Sequence, residues 1–243
     1  MTAAGFPTIK EIGENGLLIE YEPEISPEVN QKIRKLAAAL DQSGLPGVTE
    51  IVSVYRSLVV YFDPEQARTN ELVLAIEEQA RTITHGPGPA PRLFRVPTVY
   101  SSMHGPDLER VAKTVDMSPE QVAQLFSQQH YPVYCLGFLC CLMYLGGVPK
   151  PLRLPRLATP RTLLPAGSVG FAGAQACLLP IDQPSGFHYV GRTFVKLYDP
   201  SRFPPTPVSP GDLIECPAVS EDEARGWEGR SLKDCLVEEL DNS

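Results

Sequence analysis

From Tyr131 onward the chain is a series of short apolar runs cut by Pro and Gly, and no long helix can be drawn through it. Proline removes a backbone donor and fixes φ, and glycine weakens a helix interior. What survives such punctuation is short strands joined by turns, so this half reads as a β-barrel or sandwich. The longest uncharged apolar segment, Tyr131–Pro149, contains Pro132, Gly137, Gly146 and Gly147. It is short for a membrane span of ~20 residues and reads as buried core. Pro and Gly number 25 and 19 in 243 residues, above ordinary usage but well mixed. Met1–Pro7 has no basic region followed by an apolar run, so no secretory leader is expected, and a cytoplasmic location with reduced thiols follows as the expectation.

The first hundred residues have a different grammar. Leu17–Tyr21 is a short apolar run after the turn at Glu14-Asn15-Gly16. Ser26-Pro27-Glu28 supplies a cap, a proline at the first helical position and an acid in the first turn. Val29, Ile33, Leu36, Ala37 and Leu40 follow at helical spacing, and Gly44 stands where the helix stops. Val48–Tyr55 and Ser57–Phe62 are rich in β-branched and aromatic residues, as strands are. Asp63-Pro64 opens a second helical segment with Leu72, Val73, Ile76 and Ala80 on one face, and Leu93–Tyr100 reads as another strand. The order β-α-β-β-α-β is ferredoxin-like. The turn cluster within Thr84–Arg92 reads as a linker.

Two helices then precede the β-rich part. Asp107–Val115 carries Leu108, Val111, Ala112 and Val115 on one face, and Ser118-Pro119-Glu120-Gln121 is a capping box. The fold class is therefore α+β. Its divisions are a domain over residues 1–88, a β-rich domain over 89–219 and an acidic tail over 220–243. Trp227, Leu232, Leu236 and Leu240 of that tail read either as a docking helix or as a solvated segment.

The formal net charge of −8 is uneven. Ser220–Ser243 holds eight acids against three bases, whereas Gln121–Ile181 holds no Asp or Glu but does hold Lys150, Arg153, Arg156 and Arg161. The acidic balance argues against broad nucleic-acid binding. The carboxylate-free stretch either favours an anionic ligand or is a buried sheet with scattered surface arginines.

Several known chemistries are excluded by spacing. No GxxxxGK[ST] loop is present, and Ala166-Gly167-Ser168-Val169-Gly170 has Ala where a nucleophile elbow needs its first Gly. The six cysteines form no CxxC pair, and no His/Asp/Glu group has metal-site spacing, so no structural metal is expected.

What remains is an ordered set of short patterns. These are Gly105-Pro106-Asp107-Leu108, Leu136-Gly137-Phe138, Tyr144-Leu145-Gly146-Gly147, Ala158-Thr159-Pro160-Arg161, Pro165–Gly170 with Gln175, Gly191-Arg192-Thr193 and Pro210-Gly211-Asp212. In order and spacing this set resembles the allophanate hydrolase subunit 1 / carboxyltransferase C-D family, across roughly residues 9–219. The resemblance implies an N-terminal ferredoxin-like domain and a C-terminal cyclophilin-like β-barrel domain. It also implies ATP-dependent opening of 5-oxoproline to L-glutamate, with an allophanate hydrolase subunit 2-type sister subunit and possibly a third 5-oxoprolinase subunit. Two other roles occur on the same scaffold: a carboxyltransferase component of a urea-carboxylase-like system, and a non-catalytic inhibitor of a sporulation kinase.

In the 5-oxoprolinase role, Arg161 and Arg192 are candidate clamps for phosphate or carboxylate oxygens, the alternative being an ion pair or a clamp on a loop carbonyl, and Ser168 completes the candidate catalytic set unless it is a turn hydroxyl. Thr159 and Thr193 add hydroxyls, Gly167 and Gly170 a backbone approach to an anion, and Gln175 and Asp107 further binding groups for ATP, with Mg as its counter-ion. Asp107 reads preferentially as a helix cap. One departure from the family pattern stands out. Leu139-Cys140-Cys141-Leu142-Met143 replaces a Pro-Gly-Phe-Pro turn with an apolar run able to fill a pocket or form an interface.

Overall fold

The computed structural model describes residues 7–23, 25–83 and 90–239 (for 238 and 239, the backbone only). These residues form two compact units, one before and one after Pro89. Thr84–Pro89 of the expected linker lies outside the described residues, as does Leu240.

The first unit is built from β1 (Thr8–Ile12), β2 (Gly16–Glu20), α1 (Pro27–Ser43), β3 (Val48–Val54), β4 (Ser57–Phe62) and α2 (Thr69–Thr82). Ser26 caps α1 by accepting from the Val29 N–H at 3.2 Å, and Gly44 ends it in the left-handed region at φ 56°. Val29, Ile33, Leu36 and Leu40 of α1 and Leu72, Ile76 and Ala80 of α2 pack with Leu17, Ile19, Leu58 and Val60 of the sheet into one core. The sheet runs β1-β2-β4-β3 and every pairing is antiparallel.

The observed order is thus β-β-α-β-β-α, which corrects the expected β-α-β-β-α-β. Thr8–Ile12, whose two isoleucines are separated by Lys10 and Glu11, gives too short an apolar signal to read as a strand, yet it closes the edge beside β2 through a tight hairpin. The strand expected to close the unit, Leu93–Tyr100, joins the second unit instead. Asp63 also differs from expectation: its carboxylate accepts from Glu65 N–H and Gln66, tying a turn, and α2 starts only at Thr69.

The second unit opens with β5 (Arg92–Arg95), α3 (Leu108–Thr114) and α4 (Pro119–Ser127). There follow β6 (Tyr131–Gly137), β7 (Leu142–Leu145), β8 (Arg161–Leu164), β9 (Ser168–Ala172), β10 (Gln175–Leu178), β11 (Gln183–Ser185), β12 (His188–Arg192), β13 (Leu213–Glu215), α5 (Glu221–Arg225) and β14 (Leu236–Glu239). The capping box of α4 is present in both directions, Gln121 N–H to Ser118 Oγ and Ser118 N–H to Gln121 Oε1. Eight strands form one sheet in the order β12-β9-β10-β7-β6-β13-β5-β14, and β8 pairs with β11 apart from it. The sheet curls: just beyond β5, Val99 exchanges two backbone hydrogen bonds of 2.9 Å with Arg192 at the end of β12. Phe94, Phe126, Tyr131, Phe171 and Leu178 fill the inside.

Two parts of this unit differ from expectation. The acidic segment after Val219 is neither a docking helix nor a solvated tail within the described residues. Ala224, Leu232 and Cys235 are buried, Trp227 packs on the core, and β14 is an edge strand antiparallel to β5. Its acids flank these apolar anchors, so charge alone masks them. Leu139–Cys141 is likewise not a smooth apolar run: Phe138, Cys140 and Cys141 adopt φ of 57°, 47° and 59° and make a sharp turn between β6 and β7. Phe138 is left 80% exposed at its tip.

The integration of the C-terminal segment has a measurable consequence. Leu232→Ala deletes a fully buried side chain and is expected to lower unfolding free energy by about 2–5 kcal/mol in urea titration. A solvated tail would show no change.

Candidate functional site

Gly105 starts the site. A Cβ there would run into the carbonyl of Val190, so only glycine lets this loop lie against β12. Two residues on, Asp107 N–H donates to Tyr189 C=O, and Tyr189 N–H donates back to Asp107 Oδ2, both at 3.0 Å. Asp107 occupies the N-cap position of α3 but makes no capping bond, which corrects the cap reading. Its fully buried carboxylate is used elsewhere. Arg161 clamps it with two nitrogens, Nη2 to Oδ1 at 2.6 Å and Nε to Oδ2 at 3.3 Å. Arg110 Nη2 donates to Oδ1 at 2.8 Å.

Burial alone would raise the Asp107 pKa. Donation from Arg161, Arg110 and the Tyr189 amide outweighs it and holds the carboxyl below its ordinary 3.8. His188 extends the network. Arginine only donates, so Arg110 Nη2 at 2.6 Å makes His188 Nδ1 an acceptor, and the ring proton sits on Nε2, donating to Pro155 C=O at 2.6 Å. Burial, joined by the Arg110 charge, lowers the His188 pKa below 6.5 and keeps this ring neutral.

The remaining candidates are arranged differently. Arg192 Nε donates to Ala166 C=O at 3.0 Å, and its guanidinium lies 5.2 Å over the Phe194 ring. Arg161 and Arg192 therefore serve separate partners. Ser168 is buried and donates to Pro165 C=O at 2.7 Å, a turn hydroxyl. Thr193 is buried and accepts from Val195 N–H. Gly167, at φ 81°, packs so closely on the Thr193 carbonyl that a side chain has no room.

The expected backbone cradle for an anion is not formed. Gly167 N–H donates to Leu179 C=O, Ser168 N–H to Pro165 C=O and Gly173 N–H to Leu154 C=O. Gly170 is locked between β10 and β12, Gln175 pairs with Ala172 at a hairpin tip, and Thr159 is exposed on the bend before Pro160. Asp212, from the Pro-Gly-Asp block, is a buried structural clamp: Arg92 grips it at 3.0 and 2.6 Å.

Next to the Asp107 cluster in sequence, at Pro160 and Phe187, lies a cavity of about 310 Å³. Leu142, Leu179 and Phe187 wall it, and Tyr144, Arg156 and Ser185 bring polar atoms. Cys177 also lines it, but burial pushes this thiol up to about 12 and Tyr189 Oη sits 3.3 Å away, so it is no nucleophile at neutral pH. Arg156 of this region stands out in the sequence through the carboxylate-free stretch, whereas Gln183 and Arg110 do not. Polar residues of turn-rich stretches carry no periodic signal, and only folding gathers them.

Over residues 7–208 the chain matches the family described as carboxyltransferase domain, subdomain C and D. The chain belongs to this family. It is 31% identical to the B subunit of 5-oxoprolinase from Bacillus subtilis, over 92% of this chain and 97% of that protein. To the B subunit of 5-oxoprolinase from Escherichia coli O157:H7 it is 35% identical, over 84% and 92%. Among solved structures it is similar to TTHA0988, with TM-score 0.73 and 30% identity over 85% of this chain. The match spans 40% of that longer chain. Among the described residues, no helix is long and apolar enough to cross a membrane.

The cluster sets an acid sensitivity. Both groups have depressed folded-state pKa values, so each contributes stability that is full above its unfolded value and lost as pH falls through the folded one. Denaturation midpoints are expected to begin falling below pH 6.5 through His188, and again below 3.8 through Asp107. His188→Gln should remove the first step. Asp107→Asn should remove the second and cost about 1–3 kcal/mol at pH 7, because it leaves arginine donors without their carboxylate.

Proposed function

We propose that this chain is a component of an ATP-dependent 5-oxoprolinase, of the B-subunit type, that opens 5-oxoproline to L-glutamate in complex with an allophanate hydrolase subunit 2-type sister subunit and a third subunit. The observation that carries this reading is the pair of relatives named as the B subunits of 5-oxoprolinase, each matched over more than four fifths of both chains. The Asp107–Arg161 pair, which joins two of the family-like blocks, supports it. On this reading we take the curled sheet of the second unit as a cyclophilin-like barrel. We take β2-α1-β3 with β4 between its strands as the split core of a ferredoxin-like domain, its edge supplied by β1. The proposed compartment is the cytoplasm.

ATP and its magnesium do not fit the glycine loop of this chain, because the N–H groups of Gly167, Ser168 and Gly173 are already spent on backbone carbonyls. We assign nucleotide binding to the assembled complex. What this chain brings is a fixed geometry. Asp107 fixes the planar guanidinium of Arg161, and a fixed donor fork stabilises developing oxygen charge with little reorganisation. Arg192, held at Nε, keeps its two terminal nitrogens for an anion.

A second reading is favoured by the family description itself: a carboxyltransferase component of a urea-carboxylase-like system. One experiment separates them. The complex reconstituted from this chain and its sister subunits is expected to release glutamate from 5-oxoproline in an ATP-dependent manner, and to show no urea-dependent ATP hydrolysis. Urea-dependent turnover without glutamate release would replace the first reading with the second. In the active complex, Arg161→Ala is expected to lower turnover by about tenfold or more, through loss of a charge-assisted donor pair.

A further inference from the structure

Gln183 is only 3% exposed, yet among the described residues neither its amide nitrogen nor its amide oxygen has a hydrogen-bond partner. A buried amide left unpaired costs about 1–3 kcal/mol per group, and such groups are uncommon in native proteins. Backbone pairing explains where the residue sits, opposite Leu164 in the β8–β11 ribbon, but not why it carries an amide. An apolar side chain of the same length would satisfy the site better. Gln183 also lines the 310 Å³ cavity, and that volume is at the small end of ligand sites.

A primary amide offers a donor and an acceptor side by side. Its full complement is a group that presents C=O and N–H on one edge, which is a cis-amide. Peptide bonds are trans and present these groups on opposite sides, whereas a small-ring lactam holds them cis. The rest of the lining narrows the ligand further. It contains no Asp or Glu, and its one cation, Arg156, stands in no ion pair among the described residues. The Arg156 guanidinium lies 5.0 Å over the Phe187 ring, which holds its plane while leaving its N–H edge for a carboxylate. Leu142 and Leu179 offer apolar walls to ring methylenes.

We propose that this cavity binds a small cis-lactam carboxylate, with Gln183 paired to the lactam amide and Arg156 to the carboxylate. This rests on the reading of 5-oxoproline as the substrate and names the residues that would hold it. The amide atoms are sealed from bulk water, so pairing takes a turn of the Gln183 side chain toward the cavity that it lines.

The test is calorimetric or ligand-observed NMR titration of the full chain, without ATP or sister subunits, using 5-oxoproline, 2-pyrrolidinone and L-glutamate. The wild type is expected to bind 5-oxoproline saturably, and L-glutamate, which lacks the lactam, much more weakly. Gln183→Met should weaken 5-oxoproline and 2-pyrrolidinone alike by about tenfold or more. Arg156→Ala should weaken 5-oxoproline by a similar factor and leave 2-pyrrolidinone unchanged. Urea denaturation controls for folding, and Gln183→Met is expected to be at least as stable as wild type. Absence of saturable binding by the wild type, or binding indifferent to Gln183→Met, overturns the proposal and leaves Gln183 as the partner of a trapped water. Binding that follows this pattern in a chain whose complex does not turn over 5-oxoproline would overturn the functional reading alone.

Discussion

A carboxylate taken out of water has to be met by donors, and the second unit is organised around how Asp107 meets that demand. Four N–H groups reach it, from the strand β12, the helix α3 and the strand β8. These three elements are remote from one another along the chain. Burying an ion without such partners would cost several kcal/mol, so the network holds together as a set or fails as one. Its geometry also fixes the tautomer of His188, through Arg110, and so ties the Pro155 loop to the same centre.

That constraint reinterprets the short sequence blocks. Gly167 and Gly170 read as points of backbone approach to an anion when only their neighbours in sequence are known, and Gly105 as part of a short block. In the fold they are points where one backbone lies directly against another. Asp107 reads first as a helix cap and second as a binding group, and Asp212 as part of a short block, yet both are gripped by arginines of their own chain. The blocks therefore describe chiefly how the curled sheet is pinned together. The buried amide left with unused hydrogen-bonding capacity, that of Gln183, stands between the blocks rather than in one of them.

How far the structure is legible in the sequence follows the same division. Helix α1 and the capping box of α4 are readable to within a residue or so, because caps and apolar stripes are local. Strands β3 and β4 are readable from their β-branched runs. Strand β1 is not, since Lys10 and Glu11 interrupt the apolar pattern of an edge strand that places only Ile9 against the core. Of the expected strand Leu93–Tyr100 only the first residues, to Arg95, are one, and they join the other sheet, because nothing local says which sheet they join. In the site, Arg161 and Asp107 both stand out in the sequence and do meet. Arg192, Ser168 and Thr193 stand out too, but are tied to backbone around the 165–168 turn. Arg110 and Gln183 do not: Arg110 meets His188 78 residues away, a pairing that leaves no trace in spacing, and Gln183 sits in a turn-rich stretch without periodic signal.

Strand β5 lies between β13 and β14, parallel to one and antiparallel to the other. Both neighbours are encoded more than a hundred residues downstream, so β5 is the first strand of its unit to leave the ribosome and among the last to be paired. Its Leu93 and Phe94 stay uncovered for nearly the whole of synthesis, a long exposure for an unprotected apolar edge. Arg92 and Arg95 flank that pair, and until Asp212 and Glu215 arrive to neutralise them their charges oppose edge-to-edge association between nascent chains. The same two arginines thus serve the unfinished chain as guards and the finished one as clamps.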